Sequence, residues 1–422
     1  MSPDRSRPHA VVIGAGIGGL ATALSLHEVG ARVDVFDAVG ELRPLGVGIN
    51  LLPHAVRELD ALGLLEQLLT HAVTPTALVY CTKRGQEIWR EPRGLAAGYP
   101  WPQLSIHRGL LQDVLRNAVV ERLGSDALHL GQRLVRVGGS DQRPVATFES
   151  GEAHADLVIA ADGIHSALRA QRYPHEGAFS WNGSLLWRGI AEVDPVLDGR
   201  TMIWAGHPDQ KFVGYPIADL PGGRQRLNFI AEIRRPASDL AAAEDWSRPG
   251  SLDDFLPEFE TWDFGWLDVP AIVRAAPQTF LFPMVDREPI PRWTFGRTTL
   301  LGDAAHPMYP IGSNGASQAI LDARVLAGCL RRHWDDLDKA LHRYESTRRP
   351  VTAAIVRANR GLGPEVPMAL VEERAPDGFA SVDDVISAEE IARVTEQYRA
   401  TAGFSLAALQ EGTSLVDVPY AL

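Results

Sequence analysis

Cysteine is almost missing from this chain of 422 residues, where Cys81 and Cys329 are the whole complement. Two thiols make no disulfide framework and neither sits at CxxC spacing, so a stapled secreted fold is excluded and a reducing cytoplasm is expected. Long apolar runs are missing as well. No uninterrupted stretch reaches the roughly eighteen apolar residues that a membrane crossing needs. Positive charge is short, with 41 Lys plus Arg against 53 Asp plus Glu and a net charge of −12. The arginines are scattered and form no stripe, so a nucleic-acid partner is not expected. No metal-ligand cluster is visible, and neither repeats nor low-complexity tracts occur. What the chain does have is length for about two or three domains and 45% hydrophobic residues, enough for large buried cores. The composition describes a soluble, acidic, cytoplasmic enzyme, monomer or homodimer, working on a small molecule.

The most informative stretch follows the apolar run Ala10-Val11-Val12-Ile13. There Gly14-Ala15-Gly16-Ile17-Gly18-Gly19 leads into a helix-like segment over residues 20–28. Gly14 permits a tight turn, Gly16 lets backbone approach phosphates, and Gly19 lets helix and strand pack closely. The unpaired N–H groups and positive dipole end of the helix then face an anion. A second strand-like run over residues 32–36 ends at Asp37, a carboxylate about 20 residues past the glycines and suited to a ribose hydroxyl. A dinucleotide is expected here. The competing reading, a signal peptide led by Arg5 and Arg7, fails because glycines break the apolar stretch and no small-residue cleavage site follows.

Helical spacing recurs over residues 55–69 and 110–123, followed by a hairpin and a buried-strand run over 157–161. From about residue 181 to 283 the texture changes. Alternating strands at 201–204, 212–217 and 226–233, punctuated by Pro-Gly-Gly and Asp-Gly, read as an inserted antiparallel sheet. The α/β pattern returns at 298–301, with long helices over about 316–333 and 337–359. Near the end, Ser387-x-x-Glu390 is a capping box that opens a further helix.

Two more constellations lie directly after strands. Ala161-Asp162-Gly163-Ile164-His165-Ser166-Ala167-Leu168-Arg169 puts Ser166 and Arg169 one helical turn apart behind an Asp-Gly turn. Leu301-Gly302-Asp303-Ala304-Ala305-His306-Pro307 runs on through Met308-Tyr309-Pro310-Ile311-Gly312-Ser313-Asn314-Gly315-Ala316. Asp303 is suited to accept a hydrogen bond from a sugar-like chain, and the glycine-rich loop offers N–H groups to a second, developing anion. Either constellation alone reads equally well as turn chemistry. Three in this order point to one extended ligand.

At these residues the chain resembles the single-component (group A) FAD-dependent aromatic hydroxylases, the family of p-hydroxybenzoate and salicylate hydroxylases, and within it the phenazine carboxylate hydroxylases. The likeness runs over about residues 10–359 and includes Arg43-Pro44-Leu45-Gly46-Val47-Gly48, Ser105-Ile106-His107-Arg108-Gly109 and Trp187-Arg188-Gly189. It implies an α/β fold: a discontinuous Rossmann-like FAD-binding domain over 1–82, 104–180 and 284–360, an inserted, mainly antiparallel substrate sheet over 83–103 and 181–283, and a C-terminal helical cover over 361–422.

The resemblance implies that Gly14, Gly16, Gly19 and Asp37 hold the ADP half of non-covalent FAD and that Asp162 and Gly163 lie near the pyrophosphate. Arg43, Gly48 and Arg108 would belong to the cofactor site, Arg108 at the phosphate or ribityl chain, with Asp303 at the ribityl end. Gly312, Asn314, Gly315 and Ala316 would set backbone N–H groups near flavin N1 and O2, and His306 would have a structural role beside that loop. Catalytic roles would fall to Tyr215, Pro310 and Gly312. NADH or NADPH would reduce the flavin without a fingerprint of its own, O2 would add at flavin C4a, and the hydroperoxide would hydroxylate an electron-rich ring.

The substrate, a small aromatic or heteroaromatic molecule, is expected on the alternating face of Met202, Trp204, Val213, Tyr215 and Phe229, with Phe282 at the return. Tyr215 aligns with a tyrosine of the family's pocket and would orient or deprotonate a ring hydroxyl. Any one of the others reads as well as sheet core. Arg188 reads equally as a partner for a substrate carboxylate and as half of a structural ion pair. Two alternatives remain open: a flavin halogenase, although Trp187-Arg188-Gly189-Ile190 departs from the WxWxIP pattern, and a protein that binds FAD without turnover.

Overall fold

The strand His9–Ile13 has no polar alternation, with Ala10, Val11 and Val12 fully buried; this is the mark of a parallel strand covered on both faces. The computed structural model describes residues 7–42, 46–239, 249–410 and 412–418. In it that strand lies inside a six-stranded sheet of order Thr294–Phe295, Thr298–Leu300, Leu157–Ala160, His9–Ile13, Arg32–Phe36, Leu128–His129. All neighbours run parallel except the first pair. The chain therefore leaves four adjacent strands at one carboxyl edge, at Gly14, Asp37, Ala161 and Leu301, where α/β sheets bind ligands. Helix Ile17–Glu28 packs on helix Gly315–Arg332. The approach is close, since a Cβ at Gly18 would lie 3.2 Å from Ala319 Cβ.

The second sheet is seven-stranded and runs Thr279–Asp286, Ser180–Val193, Gln225–Arg234, Gln210–Asp219, Thr201–His207, Ala77–Cys81, Glu87–Pro92. It is antiparallel apart from the contact between Thr201–His207 and Ala77–Cys81. Two of the expected boundaries differ from its extent. Ala77–Cys81 already belongs to this sheet, ahead of residue 83, and Thr279–Asp286 carries it past residue 283. The single helix expected over 55–69 is two, Pro53–Ala61 and Leu65–Leu69, parted at Gly63, whose φ of +71° ends the first turn pattern.

Pairing fixes which side chains share a face, because neighbours across a ladder point the same way. One face carries Phe212, Phe229, Ala231 and Ile233 and is covered by Phe255, Phe259, Val269 and Val273. The other carries Leu78, Met202, Trp204, Val213, Tyr215 and Ile217 and is covered by Met368, Val371 and Ile386 of the C-terminal segment. That segment also contains helix Ala388–Ala402, opened as its capping box requires by the Ser387 hydroxyl accepting from Glu390 N at 3.2 Å. Among the described residues no helix is long and apolar enough to cross a membrane, and Cys81 and Cys329 are buried and unpaired.

Candidate active site

The glycine loop leaves no choice of residue at two of its positions. A Cβ at Gly14, where φ is +102°, would stand 2.4 Å from the Ala161 carbonyl oxygen, and one at Gly19 would stand 1.8 Å from that of Gly14. Gly16 differs: nothing lies within 4 Å of its Cβ position, so its backbone faces open space. As N-cap of Ile17–Glu28 it supplies no side chain to the helix's first amides, which stay available to an anion. Asp37 Oδ2 accepts from Ala15 N at 2.6 Å and Oδ1 from Val39 N at 2.9 Å. The expected ribose ligand is thus also the tie that holds the loop in shape.

The contact of Gly14 with Ala161 and Asp162 brings the second motif beside the first. Asp162 Oδ2 accepts from Ala167 N at 2.8 Å, while Oδ1 is buried without a partner. Burial pushes this carboxyl above the ordinary carboxylate range. Ser166 caps its short helix by accepting from Arg169 N at 3.1 Å. Arg169 in turn donates to the carbonyls of Ala304 at 3.1 Å and Ala305 at 2.9 Å and pairs with Glu176, pinning the second motif to the third. Asp303 is open to solvent but ringed by protein, and desolvation raises its carboxyl although His306 and Arg108 pull it down. Arg108 is exposed and has no acidic partner within ion-pair distance among the described residues. His306 Nε2 meets Asp322 Oδ2 at 2.6 Å, and Asp322 Oδ1 accepts from Arg348 Nε at 2.7 Å, a buried structural chain. Arg43 lies outside the described residues.

The loop that opens helix Gly315–Arg332 bends through two left-handed residues, Gly312 at φ +69° and Ser313 at +59°. A serine there costs of order 1 kcal/mol or more and persists only where surrounding contacts impose it. Pro310 is exposed, Asn314 is buried, and nothing lies within 4 Å of a Cβ at Gly315. Ala316 follows in the helix's first turn, half-buried.

Across from these loops, Gly48, the first residue of strand Gly48–Leu51, is bonded to the seven-stranded sheet. Its N–H donates to Asn228 Oδ1 at 2.6 Å, and its carbonyl accepts from Tyr215 Oη and Arg188 Nη2, both at 2.9 Å. Gly48, expected at the cofactor, is held by the seven-stranded sheet. Burial raises the Tyr215 phenol, which the charge of Arg188 only partly offsets, so it stays a donor at neutral pH. Arg188 faces the ring of Phe282 at 5.7 Å and has no carboxylate partner among the described residues, which removes the structural ion pair considered for it. Three buried nitrogens on this face lack partners: Arg188 Nε, Trp204 Nε1 and Asn228 Nδ2. Met202 and Trp204 line a narrow cavity with Leu78, Gln103, Gly312 and Tyr398, and Val213 shares their side of the sheet. Phe229 does not join them. It packs on Phe212 and beneath Gly189 on the opposite face, so its expected place at the substrate is corrected.

The open backbone at Gly16 and Gly315, the partnerless Asp162 Oδ1 and the unpaired Arg108 together fit an elongated anionic dinucleotide such as FAD. Sequence reasoning missed Asn228 and Tyr398. Asn228 carries no motif and is placed by cross-strand register opposite Tyr215. Tyr398 sits in a helix that the capping box announced but whose inward face nothing marked.

A family model described as an FAD binding domain matches residues 8–247 and 274–359. The phenazine 1,6-dicarboxylic acid hydroxylase of Lysobacter antibioticus is 44% identical over 402 residues, 92% of this chain and 96% of that protein. The 3-amino-4-hydroxybenzoate 2-monooxygenase of Streptomyces cremeus is 35% identical over 365 residues, 84% of this chain and 86% of its own. In fold the chain is similar to a salicylate hydroxylase substrate complex, with TM-score 0.74 at 23% identity over 97% of this chain and 99% of that one. It is equally similar to Klebsiella pneumoniae HpxO complexed with FAD and uric acid, with TM-score 0.74 at 24% identity over 96% and 98%.

Proposed function

The chain belongs to the family of flavoproteins built on this FAD binding domain, and from that membership we propose that it hydroxylates a phenazine carboxylic acid or a closely related fused heteroaromatic acid. It is an FAD-dependent aromatic monooxygenase that uses NAD(P)H and O2. The observation that carries the finer reading is the character of the unpartnered groups at the cavity face: Arg188 Nε, Trp204 Nε1 and Asn228 Nδ2 are all donors. Leaving such donors dry costs about 1–3 kcal/mol each. A planar acid with carboxylate oxygens and ring nitrogens brings acceptors for all three.

The chemistry that bound FAD supplies is acceptance of hydride from NAD(P)H and delivery of one atom of O2 to the ring. The chain's own residues do the rest. The amides at Gly16 and the dipole of helix Ile17–Glu28 would take the pyrophosphate, Asp37 and Asp303 would accept from ribose and ribityl hydroxyls, and Arg108 would balance phosphate charge. The amides from Gly312 to Ala316 would offer N–H donors to the flavin ring, with Pro310 at the loop's exposed edge. Arg188 takes a substrate carboxylate. Tyr215, held as a neutral phenol with its proton on the Gly48 carbonyl, orients the ring through its oxygen as an acceptor and does not act as a base. The C-terminal segment over Met202 and Trp204 keeps water from the cavity. The two buried free thiols support a cytoplasmic location, and the halogenase alternative finds no support among the hydroxylases and monooxygenases the chain is similar to.

The test is a panel of phenazine-1-carboxylate, phenazine-1,6-dicarboxylate, salicylate and 3-hydroxybenzoate with NADH and with NADPH. The phenazine acids accelerate NAD(P)H oxidation with the lowest KM and give a product heavier by one oxygen. Acceleration by the monocyclic acids alone overturns the phenazine reading.

A further inference from the structure

We propose that Tyr398, in the C-terminal helix beyond the matched family region, is a positioning residue for the flavin-facing loop, so that the helical cover is a working part of the active site. The proposal rests on the reading above that residues 312–316 face the flavin.

The Tyr398 hydroxyl is the point where three elements meet. It accepts from Asn314 Nδ2 at 2.8 Å, and it stands 2.8 Å from Asn359 Oδ1 and 3.2 Å from the Ile311 carbonyl, its two acceptors. Asn359, at the end of helix Leu337–Arg360, reaches the same stretch again by donating from Nδ2 to the Tyr309 carbonyl at 3.1 Å. The Asn314 amide is thereby set on both sides: Nδ2 also donates to the Gly312 carbonyl at 3.1 Å, and Oδ1 accepts from Gln318 Nε2 at 3.2 Å. Asn314 is the N-cap of helix Gly315–Arg332, yet its side chain makes no capping bond. It is turned toward Tyr398.

The phenol ring acts by volume as well. A Cβ at Gly312 would lie 2.1 Å from the Tyr398 hydroxyl oxygen, and one at Gly363 would lie 2.9 Å from its Cε2. Tyr398 therefore fills the space behind the two left-handed residues Gly312 and Ser313 and imposes a bend they would otherwise relax. It is 5% exposed, and it borders the same cavity as Met202 and Trp204. Through Tyr398 the cover touches both the loop expected at the flavin's pyrimidine edge and the space where the ring to be oxidised must lie.

The test uses the purified holoenzyme. Tyr398→Phe keeps the ring and removes the hydroxyl. It retains FAD, but its visible flavin band and midpoint potential shift, and kcat falls about tenfold while KM for the aromatic substrate stays within about twofold. Wild-type kcat, spectrum and potential, with or without a lower Tm, overturn the proposal. If Tyr398→Phe does not fold, Asn359→Ala leaves the ring in place and removes the shorter acceptor of its hydroxyl. The same spectral shift then supports the proposal, and an unchanged spectrum overturns it. Asn314→Ala separates the two claims. If it leaves the flavin spectrum unchanged, the reading of the loop fails; if it shifts the spectrum and Tyr398→Phe does not, the role of Tyr398 alone fails. In the double variant the two effects are not additive, because one hydrogen bond joins the residues.

Discussion

The hydroxyl of Tyr215 donates to the carbonyl oxygen of Gly48 at 2.9 Å, and this one bond ties the centre of the substrate sheet to the strand Gly48–Leu51 beside the cofactor loops. Arg188 Nη2 shares the same acceptor at 2.9 Å, so the phenol that orients the bound ring and the ring's charge partner are fixed by a single backbone atom. Tyr215→Phe leaves Arg188 on the Gly48 carbonyl and removes only the phenol oxygen with its bond to that carbonyl. Hydroxylation slows about tenfold, the worth of one buried hydrogen bond, while the flavin-to-protein absorbance ratio stays at the wild-type value. Unchanged turnover takes Tyr215 out of the site.

Asp303→Ala weakens FAD binding. The carboxylate is exposed at the carboxyl edge, whereas Asp37 is already engaged by Ala15 and Val39. A hydrogen bond to a charged group is worth about 1.5–3 kcal/mol, enough to strip flavin during purification. Yellow holoprotein with full flavin content contradicts the assigned role.

Arg188→Met separates charge recognition from chain length, because methionine keeps an unbranched apolar stem and removes the guanidinium that faces Phe282. Loss of a buried charge partner costs about 2–5 kcal/mol. KM for a phenazine carboxylate therefore rises at least about tenfold, and KM for the corresponding carboxamide hardly moves. An equal rise for both places the carboxylate elsewhere.

Acid sensitivity has a definite sign at Asp322. Burial alone would raise its carboxyl, but the charges and hydrogen bonds of His306 and Arg348 outweigh it and hold the folded value below 3.8. The folded chain then binds fewer protons there than the unfolded one, so the stabilisation is present above the unfolded value and is lost as pH falls through the folded one. Below about pH 4 the wild-type Tm drops for this reason. Asp322→Asn, which leaves a buried arginine unpaired, costs about 3–5 kcal/mol at neutral pH and shows a shallower acid limb. Calorimetry of the two proteins from pH 3 to 7 checks both statements, and parallel curves contradict them.

The cofactor side was legible because each of its parts is local. Gly14, Gly19 and Asp37 belong to one strand-turn-helix unit whose sterics the sequence states outright, and the Asp162 and Asp303 motifs each follow a strand of the same sheet. The substrate face was less so, because register between strands is not written in any one strand. Tyr215 stands opposite Asn228, which puts Asn228 on the pocket side and turns Phe229 to the far core. The alternation in 226–233 was right and its phase was not. The boundary at residue 83 was late because Ala77–Cys81 joins its sheet through Thr201–His207, more than a hundred residues on. For Arg188 the ion-pair alternative depends on which carboxylates lie near it in space, which spacing along the chain does not state. Tyr398 reaches Asn314 across 84 residues of chain, a contact that no spacing rule announces.

The most direct measurement is turnover of a phenazine carboxylic acid under isotopically labelled dioxygen, with NAD(P)H consumption followed alongside the product's mass. The account predicts substrate-stimulated NAD(P)H oxidation and one labelled oxygen atom in the hydroxylated ring. Stimulated oxidation that yields only hydrogen peroxide, or a product whose new oxygen comes from water, contradicts it.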